Sequence, residues 1–137
     1  MNPRWIGILL IVAGIVILFF SLSGNSSTVN PGEEVILRIG QSVVIKGEDL
    51  KITFSEVTSD SRCPTGVTCV WAGEVSCNIE IHHSGKISFL KFVYPGSADS
   101  YSQLTYEGYT YSYKVEPYPE VDKVIPPAKY RLFLIVD

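Results

Sequence analysis

Positive charge is scarce and scattered in this chain: 11 Lys and Arg stand against 14 Asp and Glu, for a net charge of −3 over 137 residues. No basic stripe exists to meet a phosphate backbone, which excludes nucleic acid as a partner. Acids and bases are interspersed as on an ordinary solvated surface. Histidine is limited to the adjacent pair His82-His83, whose side chains point to opposite faces of a regular strand and so cannot share one metal ion. Also missing are a Gly-Xaa-Ser-Xaa-Gly elbow, a His-Glu-Xaa-Xaa-His pattern, a phosphate loop and a Cys-Xaa-Xaa-Cys pair. These are the sequence forms of hydrolase, metallopeptidase, nucleotide and dithiol chemistry. No catalytic residue, metal site or cofactor is assigned, and the chain is read as a non-enzyme. It has no internal repeat, and no segment after Ser23 carries a helical period.

What is present begins with one long apolar run. From Trp5 to Phe20 no charged or strongly polar side chain occurs, and Leu22 extends the run. About 18 residues make about 27 Å of helix, near the lower limit for crossing a bilayer. Arg4 is the only charged side chain before Ser23, and Trp5 sits where an interfacial aromatic belongs. Residues 5–22 are therefore expected to cross the cell membrane once, with the N-terminus cytoplasmic and the rest outside. A cleaved signal peptide is the alternative. Ser21-Leu22-Ser23 offers small residues before Gly24, but the run exceeds the usual apolar core of about 7–15 residues. No Cys follows the run, which excludes a lipoprotein anchor. Either way the remainder is exported.

Export decides the cysteines, because thiols outside the cytoplasm tend to pair. The chain has three: Cys63, Cys69 and Cys77. Cys77 lies in the alternating stretch Glu74–Ile81, on one face with Val75, Ile79 and Ile81, and is read as a core residue. Cys63 and Cys69 flank a short loop and are expected to form a disulfide. By the chain-entropy model a loop of about seven residues is worth about 2–2.5 kcal/mol.

The expected organisation is an anchor over 1–23, a linker over 24–32 and an extracytoplasmic domain over 33–137. The linker, Gly24 to Gly32, is small and polar and ends in Asn-Pro-Gly, a turn composition. Asn25-Ser26-Ser27 matches a glycosylation acceptor. Strand patterns follow at Glu33–Ile39, Ser42–Lys46, Leu50–Val57, Glu74–His82, Ile87–Tyr94, Tyr109–Val115 and Lys129–Val136. Phase is lost at Glu56-Val57, which predicts a bulge, and again between Phe89 and Leu90. Pro95 to Gly108 reads as a long loop, and Pro117-Tyr118-Pro119 stops the strand before it. About seven short strands with turns between them predict an all-β fold, an antiparallel sandwich immunoglobulin-like in style.

The segment Asp60-Ser61-Arg62-Cys63-Pro64, followed by Val67 and by Cys69-Val70-Trp71-Ala72-Gly73-Glu74, resembles that of a widespread group of small, uncharacterised envelope proteins and lipoproteins of bacteria and archaea. The likeness continues through the amphipathic strand after Glu74, through Val115-Glu116-Pro117-Tyr118-Pro119 and into a closing strand with a Tyr, over most of residues 40–136. The chain departs in carrying an apolar segment where others carry a lipid-modified Cys. The resemblance implies export and an all-β domain, and it brings no activity or functional residues.

Two groups of residues are candidates for contact with a partner. Asp60, Arg62 and Trp71 surround the cysteine loop, and Trp and Arg are favoured at binding hot spots. The alternative has Asp60 and Arg62 fixing the loop while Trp71 plugs one end of the sandwich. Tyr94, Tyr101, Tyr106, Tyr109, Tyr111, Tyr113 and Tyr118 crowd one part of the chain. Tyr109, Tyr111 and Tyr113 form either a core stripe or a contact stripe, and Tyr101 and Tyr106 are the binding candidates because they fall in the expected loop. The expected function is a membrane-anchored binding module for an envelope protein or a glycan. An inhibitor of extracytoplasmic peptidases and a structural envelope component are the alternatives.

Overall fold

In the computed structural model, which describes residues 26–137, the alternating stretches become strands. In order they are β1 (Ser26–Val29), β2 (Val35–Leu37), β3 (Ser42–Ile45), β4 (Leu50–Asp60), β5 (Glu74–His83), β6 (Lys86–Pro95), β7 (Ser102–Tyr106), β8 (Tyr109–Glu116) and β9 (Arg131–Val136). A single 3-10 turn, Pro127–Lys129, precedes β9. The strands form a five-stranded sheet in the order β1-β3-β4-β5-β6 and a four-stranded sheet in the order β2-β9-β8-β7. All neighbours are antiparallel except β1, which runs parallel to β3. β3 to β6 follow one another as a meander within one sheet. That differs from the expected immunoglobulin style, in which no four successive strands share one sheet.

The two sheets bury one face each against the other. Ile52 and Phe54 of β4, Val75, Cys77, Ile79 and Ile81 of β5 and Phe92 of β6 meet Tyr111, Tyr113 and Val115 of β8 and Leu132 and Leu134 of β9. Full burial of each large aliphatic or aromatic side chain stabilises the fold by about 1.5–3 kcal/mol. The Phe92 and Tyr113 rings stack with centroids 4.2 Å apart, and the Tyr113 hydroxyl donates to the Val93 carbonyl at 3.0 Å. The tyrosine stripe of β8 is thus core at Tyr111 and Tyr113, with Tyr109 half-buried at its edge.

Several sequence expectations are changed. There are nine strands among the described residues, not about seven. Ser26–Val29, expected in a linker, pairs with β3, and only the following Pro31-Gly32 turns. β6 holds its register with β5 throughout. The apparent slip at Phe89 arises because Ile87 and Phe89 are exposed apolar residues on the outer face. Ser102–Tyr106, expected in a loop, is a strand hairpinned to β8. The expected bulge does occur, with shifts between Phe54 and Glu56 and between Val57 and Ser59. The expected anchor over residues 5–22 and the acceptor Asn25 lie outside the described residues. Among the described residues no helix is long and apolar enough to cross a membrane.

Candidate functional site

β4 ends at Asp60 and β5 begins at Glu74, so the cysteine loop caps one end of the sandwich. Its neck continues the strand pairing: Ser61 N–H donates to the Glu74 carbonyl at 2.8 Å and Cys63 N–H to the Ala72 carbonyl at 2.7 Å. Gly73 closes that neck with a φ of +69°, and a Cβ there would fall 1.9 Å from the Ser61 carbonyl oxygen. Only glycine fits. Gly96, just after β6, is held as closely, since its Cβ would lie 2.2 Å from the Ala72 oxygen. Its N–H donates to the Gly73 carbonyl at 2.8 Å, and its own carbonyl accepts from the Tyr118 hydroxyl at 3.0 Å. Residues 117–126 complete the end, with Thr65 N–H donating to the Pro119 carbonyl at 3.0 Å.

Arg62 ties these pieces together from beneath. It is 3 % exposed. Its Nε and Nη2 donate to the two carboxylate oxygens of Asp60 at 2.8 and 2.6 Å. Nη1 reaches the Val115 carbonyl and Nη2 also reaches the Pro117 carbonyl, both at 2.9 Å. The Tyr118 ring lies over the guanidinium with its centroid 5.2 Å away, and Tyr130 donates its hydroxyl to Asp60 at 2.9 Å. Burial disfavours the Asp60 carboxylate, yet hydrogen bonds and charge from Arg62, with Tyr130, outweigh it and hold its pKa below the usual value. Tyr130 is pushed up to about 12 by burial first and by the hydrogen bond to Asp60 second. A buried charge needs such saturation to persist.

Comparison of the chain with protein-family models, with curated proteins and with solved structures finds no match.

The disulfide joins Cys63 to Cys69, as expected, and Cys77 is free and buried in β5. Burial pushes the Cys77 thiol up to about 12, which leaves it inert. Trp71 does not plug the sandwich: it is 80 % exposed, next to Val70 at 97 %. Val67 of the same loop and Val121 and Val124 of the facing segment are also exposed. Of these exposed residues Val124 also lines a groove of about 560 Å³, with Tyr118, Ile125, Pro126 and Phe133 in its walls.

The expected site residues therefore separate. Asp60 and Arg62 are structural, and Trp71 alone of its group faces solvent. Tyr106 sits at the far end of β7, opposite Tyr109, and donates its hydroxyl to Ser88 Oγ at 3.0 Å. Tyr101 is bonded through its hydroxyl to Glu34, with the Lys114 ammonium 5.6 Å from its ring centroid. Neither joins the tip. The start of the Pro95 loop does, through Gly96. His82 and His83 diverge: His82 pairs with Glu80, and His83 lies 2.9 Å from Glu107 at the opposite end of the sandwich. Sequence reasoning named Tyr118 only as one of a crowd of tyrosines, without its place over Arg62, and missed Tyr130 and Val124. The proline-rich text around the first and last of these gave a turn signal but no partner.

Proposed function

We propose that this chain is a membrane-anchored, extracytoplasmic binding module whose contact surface is the Cys63–Cys69 end of the sandwich. One observation carries the reading: Val70, Trp71 and Val124 expose almost their whole side chains on loops whose backbone is tied at several points. Stranding Trp in water forgoes favourable burial, which a contact would recover. Because the loop is already ordered, little conformational entropy is lost when it docks. Asp60 and Arg62 support the surface from below. Export rests on the apolar run at residues 5–22 and on the disulfide, which belongs to an oxidising compartment.

Hydroxyl-radical footprinting of the full-length chain tests this. Trp71 and Val124 should be protected in membranes isolated from its own cell and reactive in detergent-purified protein. Equal reactivity in both would remove the contact surface. The second reading, inhibition of extracytoplasmic peptidases, is favoured by the same disulfide-closed protruding loop. A peptidase panel showing no inhibition at micromolar protein, and cleavage at Val70-Trp71 at an ordinary rate, would dispose of it.

A further inference from the structure

The direction in which the chain enters the sandwich bears on what the tip meets. Ser26 of β1 lies opposite Ser42 of β3, with the two strands parallel. Ser42 lies opposite Thr53, and from there β4 runs on to Asp60 at the tip. Ser26 is therefore the end of β1 that faces the tip. Glu80 of β5 is level with Thr53, and from Glu80 to Glu74 the strand covers about 20 Å. Between Leu22 and Ser26 stand only Ser23, Gly24 and Asn25, which span about 14 Å when fully extended.

The tether is thus shorter than the stretch of sandwich that lies on its own side of Ser26. We infer that, with residues 5–22 in the bilayer, this tether turns the Cys63–Cys69 end toward the membrane, where Val70, Trp71 and Val124 enter the interfacial layer of lipid. The inference rests on the anchor and tip surface proposed above and names the occupant of that surface. The chemistry fits. Trp favours the boundary between headgroups and acyl chains, and valines beside it add apolar area without charge. The exposed charges next to them are not basic: Glu120 pairs with Lys123, and Asp122 between Val121 and Lys123 adds a negative charge. The contact is therefore apolar and does not depend on anionic lipid. The opposite end carries short turns and the polar cluster of His83, Lys86 and Glu107, a surface suited to water.

The chain contains two tryptophans, Trp5 and Trp71, and each can report separately. Full-length Trp5→Phe and Trp71→Phe proteins are reconstituted in nanodiscs of phosphatidylcholine with or without brominated acyl chains. Emission is read with brominated lipid and with acrylamide. The expected result is quenching of Trp71 by brominated lipid, shielding of Trp71 from acrylamide, and loss of both effects in Trp5→Phe/Val70→Asp, whose exposed position leaves the fold unchanged by near-UV circular dichroism. Quenching of Trp5 by brominated lipid with Trp71 open to acrylamide overturns the inference while the anchor stands. Shielding of Trp71 from both quenchers means a protein contact and overturns it too. Lipid quenching of neither tryptophan overturns the anchor itself, and the inference with it. Trp71 quenching that survives Val70→Asp overturns insertion of the tip.

Discussion

Replacing Arg62 by Met tests the physical account of the tip most directly. The side chain is fully buried and its partner Asp60 only 11 % exposed, so solvent screens the pair little. Arg62→Met keeps the apolar volume but strands the Asp60 carboxylate and leaves the Val115 and Pro117 carbonyls without their donor. Removing one partner of a buried pair costs about 3–5 kcal/mol, and each orphaned acceptor about 1–3 kcal/mol, with strong overlap between the two. A loss of about 4 kcal/mol or more is expected, against a total of about 5–15 kcal/mol for a domain of this kind. Asp60→Asn leaves Arg62 its two carbonyl acceptors and should fall at the lower end of the range for a broken buried pair, about 3 kcal/mol. The double variant should be milder than the sum of the two, because no unpaired charge remains. Urea unfolding followed by near-UV circular dichroism of Tyr111, Tyr113 and Tyr130 reads this. Trp71 is too exposed to report on the core. A cost for Arg62→Met below about 1 kcal/mol, the range of surface pairs, would refute the reasoning. Strict additivity in the double variant would do the same.

Other outcomes follow from the same geometry. Gly73→Ala and Gly96→Ala should each destabilise by several times the cost of Gly40→Ala. Gly40 shares the positive φ of Gly73 but has open space around it, so its substitution costs only about 1–2 kcal/mol; equal losses at all three would contradict the close approaches. Cys63→Ser/Cys69→Ser should lower stability by about 2–2.5 kcal/mol while leaving the β spectrum intact; a loss of all β signal would mean that the loop organises the core. Asp60 has its folded pKa depressed, so its contribution is complete above about pH 4 and lost as pH falls through the lower folded value. Acid titration of Asp60→Asn should lack that part of the decline. Tyr130, raised to about 12 in the folded protein, contributes stability below about pH 10 that is lost as pH climbs toward the folded value. Tyr130→Phe should flatten that alkaline loss, and an unchanged profile would rule the linkage out.

The strands that were legible in the sequence are those with one wet and one dry face. Val75, Cys77, Ile79 and Ile81 announce β5 because every second residue is fully buried. Ser26–Val29 shows no such period, since its residues are exposed or half-buried at a sheet edge, and its polar text reads as a linker. Phe89 misleads in the other direction: an aromatic on the outer face imitates a slip in phase. Tyr106 was hidden by the short strand around it, whose burial is only partial. At the tip, the disulfide was readable from spacing and from the expectation of export, and the fixing of the loop by Asp60 and Arg62 was one of two open readings. The carbonyls of Val115 and Pro117 were not foreseeable, because those contacts join distant parts of the chain. Trp71 shows the limit most clearly, since nothing in local sequence tells a Trp that plugs from one that protrudes.

The covalent and non-covalent ties at this end act over very different lengths of chain. Cys63 and Cys69 are six residues apart, whereas Arg62 and Val115 are separated by 53. Closing the longer span restrains more backbone freedom, by only about 2 kcal/mol because the cost of closure grows logarithmically with length. Reductants should therefore slacken the rim without dismantling the scaffold, so that the redox state of the surroundings tunes the stiffness of the exposed crest independently of whether the molecule is folded.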